Sequence, residues 1–120
     1  MKTITLNQIA HARSGDKGRD ANIGLIALTE SGYRFLQRHI TAERVRQFFN
    51  PLPVTRVVRY ELPNLAAFNF LLHGVLGRGG SQSLATDAQG KALGQALLTM
   101  PIDIEEEELL LCVDPQGETS

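Results

Sequence analysis

Segments typical of strands and segments typical of helices follow one another along this chain without a strict βαβ rhythm, and this order constrains the fold most. Alternating or β-branched apolar stretches predict strands at residues 3–10, 21–28, 54–62, 83–85 and 102–104. Stretches with helical spacing predict helices at residues 31–40, 42–50, 65–76 and 88–99. This order predicts an α+β fold, in which a mixed or antiparallel sheet carries its helices mainly on one face.

Capping and breaking residues set the expected ends of these helices. Ser31 and Thr41 are expected to cap the first two helices, and Pro51 ends the second. Asn64 is expected to cap the third helix and Gly77 to close it. Together with the predicted strands, these helices favour an arrangement of the ferredoxin-like kind.

The chain has 120 residues, which fits a single domain. We place that domain at residues 1–104 and expect an acidic C-terminal extension at residues 105–120, which begins with the run Glu105–Glu108. Leu109–Val113 is expected to form an edge strand or to dock on a partner, and residues 114–120 are expected to fray.

Composition excludes several classes of function. The formal net charge is −1 and no basic run is present, which argues against a nucleic-acid partner. No apolar run approaches the roughly 20 residues that span a bilayer, and no signal-peptide pattern occurs. Cys112 is the single cysteine, follows three leucines and is expected to be buried. These features predict a cytoplasmic protein with no membrane partner.

The segment His11–Asp20 is expected to be a loop with more chemistry than a turn requires. Its glycines would let backbone amides approach an anion, and its cations would supply charge. His11 and Asp16 are candidates for an acid–base pair if the loop folds back on itself. The other candidates here, proposed as ligand-binding residues, are Arg13, Ser14, Gly15, Lys17, Gly18 and Asn22. The alternative is a solvated surface loop with local ion pairs.

A second polar loop is expected at His73–Ser83. Asn69 and His73 are four residues apart and would share a face of the predicted third helix, where His73 is a candidate base and Arg78 a candidate anion clamp. Alternatively, His73 caps the helix or lies hydrogen-bonded in the core. The remaining ligand-binding candidates around this loop are Asn64, Asn69, Gly79, Gly80 and Ser81.

Cofactor and metal sites find no support in the sequence. Three His residues far apart and one Cys give no recognised ligand spacing, so no metal site is expected. The pair Gly77 and Gly79 is not followed by the rest of a dinucleotide-binding fingerprint. His39 follows Arg38 near a helix end and is expected to be structural. We therefore expect no cofactor.

The two polar segments together resemble the AtuA-like domain. The motifs that carry this resemblance are His11–Gly18, Ala21–Gly24, Arg59–Asn64, Asn69-Phe70, His73-Gly74, Gly79-Gly80, Ser83-Leu84 and Asp87–Lys91. In the family this domain forms the C-terminal part of acyclic terpene utilisation protein A and also occurs as a short independent chain. The resemblance implies a ferredoxin-like fold and a setting in branched or isoprenoid acyl-CoA catabolism. The large N-terminal domain of full-length relatives is expected either to be a separate chain or not to be needed by this protein, and Arg78 stands where a further glycine is expected.

Three functions stay open at this point, and the sequence does not decide whether the chain is an enzyme. It can be a small subunit or ligand-binding module that acts with an AtuA-type large domain and completes its site. It can be a self-sufficient hydratase or lyase that uses His11 or His73 on a CoA thioester substrate. It can also be a homo-oligomeric scaffold, and a homo-oligomer is expected in any case.

Overall fold

The computed structural model describes residues 1–50, 52–75 and 92–113. Its strands are β1 (Lys2–Thr5), β2 (Ala10–Lys17), β3 (Asp20–Ala27), β4 (Arg56–Leu62), β5 (Ala67–His73) and β6 (Pro101–Ile104). Its helices are α1 (Glu30–His39), α2 (Ala42–Phe48), a helical segment α3 at residues 92–97, and α4 (Glu106–Val113). Short 3₁₀ turns occupy Leu6–Gln8 and Pro63–Leu65. No helix within these ranges is long and apolar enough to cross a bilayer.

Four of the strands form an antiparallel sheet in the order β2-β3-β5-β4. Strands β1 and β6 pair separately, also antiparallel, with Ile4 opposite Ile102. Along β3 and β5 every second side chain is buried, since one face of the sheet meets the core and the other does not. We call the core side, which carries Ile23, Leu25 and Phe70, the inner face.

Helices cover the inner face. The Tyr33 ring of α1 stacks on Phe68 of β5, with ring centroids 4.7 Å apart. On α3, the Gly94 amide donates a hydrogen bond of 3.0 Å to Ser14 Oγ of β2. Full burial of a side chain such as Phe68 stabilises the fold by about 2–3 kcal/mol. The arrangement confirms the α+β prediction with an antiparallel sheet.

The predicted loop at His11–Asp20 is wrong, because this segment forms the hairpin of β2 and β3. Gly18 and Arg19 make a two-residue turn between the paired residues Lys17 and Asp20, and Gly18 takes the positive φ of 65° that such a turn requires. The buried positions of β2 carry small residues such as Ala10 and Ala12, so its alternation is weak in hydrophobicity. That weakness makes a half-exposed strand look like a polar loop.

The predicted helix at residues 65–76 is also wrong, because Ala67–His73 is the strand β5. Phe68, Phe70 and Leu72 point to the core and alternate with less buried residues, which is the period of a strand. Asn64 therefore caps no α-helix and lies in the 3₁₀ turn, after which Ala66 reverses the chain in the left-handed region at φ 51°. The expected helix end at Gly77, the second loop at 78–81 and the strand at 83–85 lie outside the described residues.

Threonines cap the N-terminal ends of the first two helices. Thr41 Oγ1 accepts a hydrogen bond of 3.1 Å from the Arg44 amide, so its predicted capping role is confirmed. The cap of α1 is Thr29, whose Oγ1 accepts from the Gly32 amide at 2.9 Å. The prediction of Ser31 as the cap is therefore wrong by two residues.

Residues 106–113 form helix α4, so the predicted edge strand at Leu109–Val113 is wrong. Three glutamates in its first turn interact favourably with the positive end of the helix dipole, a signal that outweighs the strand-like leucine run. Cys112 is fully buried, as predicted, and Arg38 of α1 forms an ion pair with Glu108. Thr29 Oγ1 also donates a hydrogen bond of 2.8 Å to the Leu111 carbonyl. The domain boundary after residue 104 stays a prediction.

Candidate functional site

The side of the four-stranded sheet opposite the core, which we call the outer face, gathers most of the described candidate residues. Its positions form four cross-strand rows: His11, Ile26, Ala67 and Leu62; Arg13, Gly24, Asn69 and Tyr60; Gly15, Asn22, Leu71 and Val58; Lys17, Asp20, His73 and Arg56. Rows are two residues apart along each strand, so the first and fourth are about 20 Å apart. The outer face is therefore a long strip with chemically distinct ends.

A groove of about 570 Å³ occupies the end of the strip with the first two rows. Its lining combines the apolar residues Ile26, Leu62, Leu65, Ala67 and Phe68 and the glycine Gly24 with the polar residues His11, Arg13 and Asn69. Cavities of this size and character are typical of small-molecule sites. The groove accepts an apolar body together with a polar or anionic end group.

Gly24 gives the groove its depth. It lies between Arg13 and Asn69 in the second row, and a Cβ placed there would meet only the Arg13 carbonyl oxygen, at 3.8 Å. A glycine within a strand lacks a side chain to pack and often marks a place where a ligand or another backbone comes close. The backbone at Gly24 does not require glycine, so the effect of the missing side chain is to open space in the groove.

Beyond the groove, the middle of the strip carries two amides. Asn22 Nδ2 lies 3.5 Å from Asn69 Oδ1, at the long limit of a hydrogen bond. A smaller depression of about 340 Å³ is lined by Asp16, Asn22, Asn69 and Leu71. Each primary amide offers two donors and an acceptor, so this pair keeps capacity for a further partner.

The far end of the strip holds a histidine between a carboxylate and a guanidinium. His73 Nδ1 lies 3.2 Å from Asp20 Oδ2, and Asp20 Oδ1 accepts from the Gly74 amide at 2.8 Å. Arg56 Nη2 lies 3.3 Å from His73 Nε2. Since a guanidinium only donates, this network assigns the acceptor role to Nε2 and the proton to Nδ1. Gly74 adopts φ 77° there.

The structure separates the residues proposed as an acid–base pair. His11 and Asp16 lie on one strand, five residues and about 17 Å apart, and their pairing partners Ile26 and Ala21 belong to opposite faces of the sheet. The expected pairing of His11 with Asp16 is therefore wrong, because the segment extends instead of folding back. His11 and His73 lie at opposite ends of the outer face.

The other candidates fall into three groups. Arg13 and Asn69 line the groove, and Gly15 and Asn22 lie in the next row. Ser14 lies on the inner face and binds α3 through Gly94, while Gly18 forms the hairpin turn and Asn64 is exposed in the 3₁₀ turn. Lys17 lies at the end of β2 in the fourth row. Arg78, Gly79, Gly80 and Ser81 lie outside the described residues.

Sequence reasoning missed several residues that shape this face. Asp20, which binds His73, stands opposite Lys17, and a reading of Gly18-Arg19 as a hairpin turn would have placed it there. Tyr60, Leu62 and Leu65 are exposed large apolar or aromatic side chains in or next to the groove. They belong to β4 and its following turn, where a strand was predicted but its faces were not distinguished. In the described ranges, no cluster of three or more His, Cys, Asp or Glu residues is placed to hold a metal ion.

The fold and the strip together define a small α+β domain of the ferredoxin-like class, with helices on one face and a groove on the other. The family model of the AtuA ferredoxin-like domain matches residues 4–103, so the chain belongs to that family. This match confirms the resemblance and links the chain to AtuA-type proteins. No curated protein and no solved structure matches the chain.

Proposed function

We propose that this protein is a small subunit or ligand-binding module that acts with an AtuA-type large domain in branched or isoprenoid acyl-CoA catabolism. The observation that carries the proposal is the groove at the first two rows of the outer face. The link to AtuA-type proteins supports the proposed metabolic setting, and the groove offers a place where a branched acyl group could bind.

The lining of the groove suits a branched acyl thioester. Ile26, Leu62 and Leu65 offer apolar contact to a hydrocarbon chain, which gains roughly 0.8 kcal/mol per buried methylene. Arg13 and His11 belong to the polar part of the lining and can contact the thioester carbonyl or a carboxylate. Within the described residues neither side chain has a hydrogen bond or ion pair, so both are available to a ligand.

The exposed apolar rim supports a partner that covers the groove. Leu65, which lines the groove, is 66% exposed, and Tyr60, which pairs with the groove residue Asn69, is 50% exposed. Exposed apolar side chains that are grouped together and bordered by polar residues are typical of interaction surfaces. A ligand in this open groove stays in contact with water on one side, and a large domain docked on the rim would close that side.

The separation of the acid–base groups favours a module over a self-sufficient enzyme. A hydratase or lyase needs a base within hydrogen-bonding reach of the reacting atom. His11 lines the groove with no carboxylate beside it in the described part of the chain, whereas the paired His73 lies about 20 Å away. In the proposed complex, the large domain supplies the catalytic groups.

Calorimetric titration with a branched S-acyl-pantetheine, with and without a separately expressed AtuA-type large domain, tests the proposal. We expect binding in the groove and tighter binding in the complex. Gly24→Val fills the groove and should weaken binding at least about tenfold, with Gly24→Ala intermediate. Arg13→Ala should weaken binding by a similar factor, because it removes a charge-assisted contact.

Arg34→Ala is the matched control for Arg13→Ala, since Arg34 is an exposed arginine on α1 and pairs with Glu30. It should leave binding unchanged. Equal affinity in the parent and in Gly24→Val would contradict the groove as the site. No association between the chain and the large domain would contradict the role as a subunit.

A further inference from the structure

The outer face continues past the groove in one direction only, and its chemistry changes along that direction. The groove of the first two rows is mainly apolar, the second and third rows carry Asn22 and Asn69, and the fourth row carries Arg56 and His73. The strip is about 20 Å long from the first row to the fourth. An elongated ligand with an apolar end, amides in its middle and an anionic end would match this order.

The middle of the strip suits amide groups. The 3.5 Å contact between Asn22 and Asn69 is long, so both side chains can rotate toward a ligand amide without the loss of a strong bond. The depression of about 340 Å³ beside them adjoins the groove at Asn69, which lines both. Leu71 borders the same depression and offers apolar contact between the amides.

The far end suits a phosphate group. Arg56 is exposed, and its guanidinium lies against an imidazole nitrogen of His73, which is a weaker partner than an oxyanion. Asp20 is already engaged by His73 and by the Gly74 amide, which leaves the guanidinium of Arg56 free to turn toward an incoming anion. The exposed Arg19 of the hairpin turn adds a further positive charge at the same end.

We infer that the outer face binds a CoA thioester lengthwise, with the acyl group in the groove, the amide-bearing pantetheine arm along Asn22 and Asn69, and a phosphate of the nucleotide end at Arg56 beside His73. This inference rests on the proposed function and extends it from the acyl group to the whole thioester. It assigns Arg56 as a phosphate contact, a role distinct from that of Arg13 in the groove.

The test compares three thioesters of one branched acid, namely the acyl-CoA, the acyl-dephospho-CoA and the S-acyl-pantetheine, by calorimetry under the conditions in which the acyl-pantetheine binds. The phosphates should make the acyl-CoA bind at least about tenfold more tightly than the acyl-pantetheine, the size expected for a charge-assisted contact. Arg56→Gln should remove this gain and leave acyl-pantetheine binding unchanged. Arg34→Gln, on α1, should change neither affinity.

Two further arms separate the outcomes. Inorganic phosphate should compete with the acyl-CoA and not with the acyl-pantetheine, and the acyl-dephospho-CoA should reveal whether the 3′-phosphate or the pyrophosphate contributes. Equal affinities for acyl-CoA and acyl-pantetheine, or an equal loss for both in Arg56→Gln, would overturn this inference and leave the groove intact as a site. A failure of every thioester to bind would overturn the proposed function itself.

Discussion

Gly94 shows how one residue fixes the relation between a helix and the sheet. Its amide donates to Ser14 Oγ at 3.0 Å, and a Cβ at this position would lie 2.9 Å from the same oxygen and 3.2 Å from Ser14 Cβ. A real side chain does not approach so closely, so α3 or β2 must shift. Ser14, a candidate ligand-binding residue from the sequence, thereby has a packing role on the inner face.

The change Gly94→Ala should lower the free energy of unfolding by about 1 kcal/mol, measured by urea denaturation. Alanine gains about 1 kcal/mol of helix propensity, but overpacking costs about 1–3 kcal/mol and displaces the hydrogen bond to Ser14. Ser14→Ala combined with Gly94→Ala should recover part of the loss, because the closest atom is then absent. Gly24→Ala is the control, since its Cβ meets only one atom at 3.8 Å, and it should not destabilise the fold. A stability gain in Gly94→Ala would contradict this packing.

Among the elements, α1 carries a titratable group whose pKa the fold perturbs. His39 lies near the end of α1, half-buried, with its ring centroid 4.4 Å from that of Phe35. Burial lowers the pKa of His39 from its ordinary 6.5, Arg38 and Arg44 lower it further, and Glu108 of α4 partly opposes them. The end of α1 therefore favours the neutral imidazole.

This perturbation predicts a pH-dependent stability. The folded pKa of His39 lies below the unfolded value, so the unfolded chain binds the proton more readily, and the stabilisation present above about pH 6.5 declines as the pH falls. The free energy of unfolding should be lower at pH 5.5 than at pH 7.5. His39→Gln should flatten this difference, and Arg38→Gln should reduce it. An unchanged pH slope in His39→Gln would show that other groups carry the effect.

The elements that can be predicted from the sequence are those whose local signals agree with their tertiary surroundings. Helix α2 has a threonine cap and a proline after it, and β4 is rich in β-branched residues, so both were expected near their observed positions. Strand β5 was mistaken for a helix because Asn64, a good cap, precedes it, although Phe68, Phe70 and Leu72 alternate with a period of two. The capping residue favours a helix, whereas the two-residue period favours a strand, and pairing within the sheet stabilises the strand.

At the scale of the whole molecule, the candidate site could be predicted in part. His11, Arg13 and Asn69 were expected as site residues, and the structure brings them to one groove from β2 and β5, two strands that are far apart along the chain and pair on opposite edges of β3. Asp20 and Arg56 were missed, because their contacts with His73 depend on the register between β3, β5 and β4. The Gly18-Arg19 turn sets the register between β2 and β3, but the pairing of β3 with β5 joins segments that are distant along the chain.

Amide chemical shifts of ¹⁵N-labelled protein, followed during titration with a branched acyl thioester, locate the bound ligand on the fold. We expect the shifts to concentrate on the outer face, at Gly24, Ile26 and Asn69, and we expect Arg34 on α1 to stay unchanged. A response centred instead on the depression at Arg44, Phe48 and Met100, or no response along β3 and β5, would contradict the outer face as the ligand site.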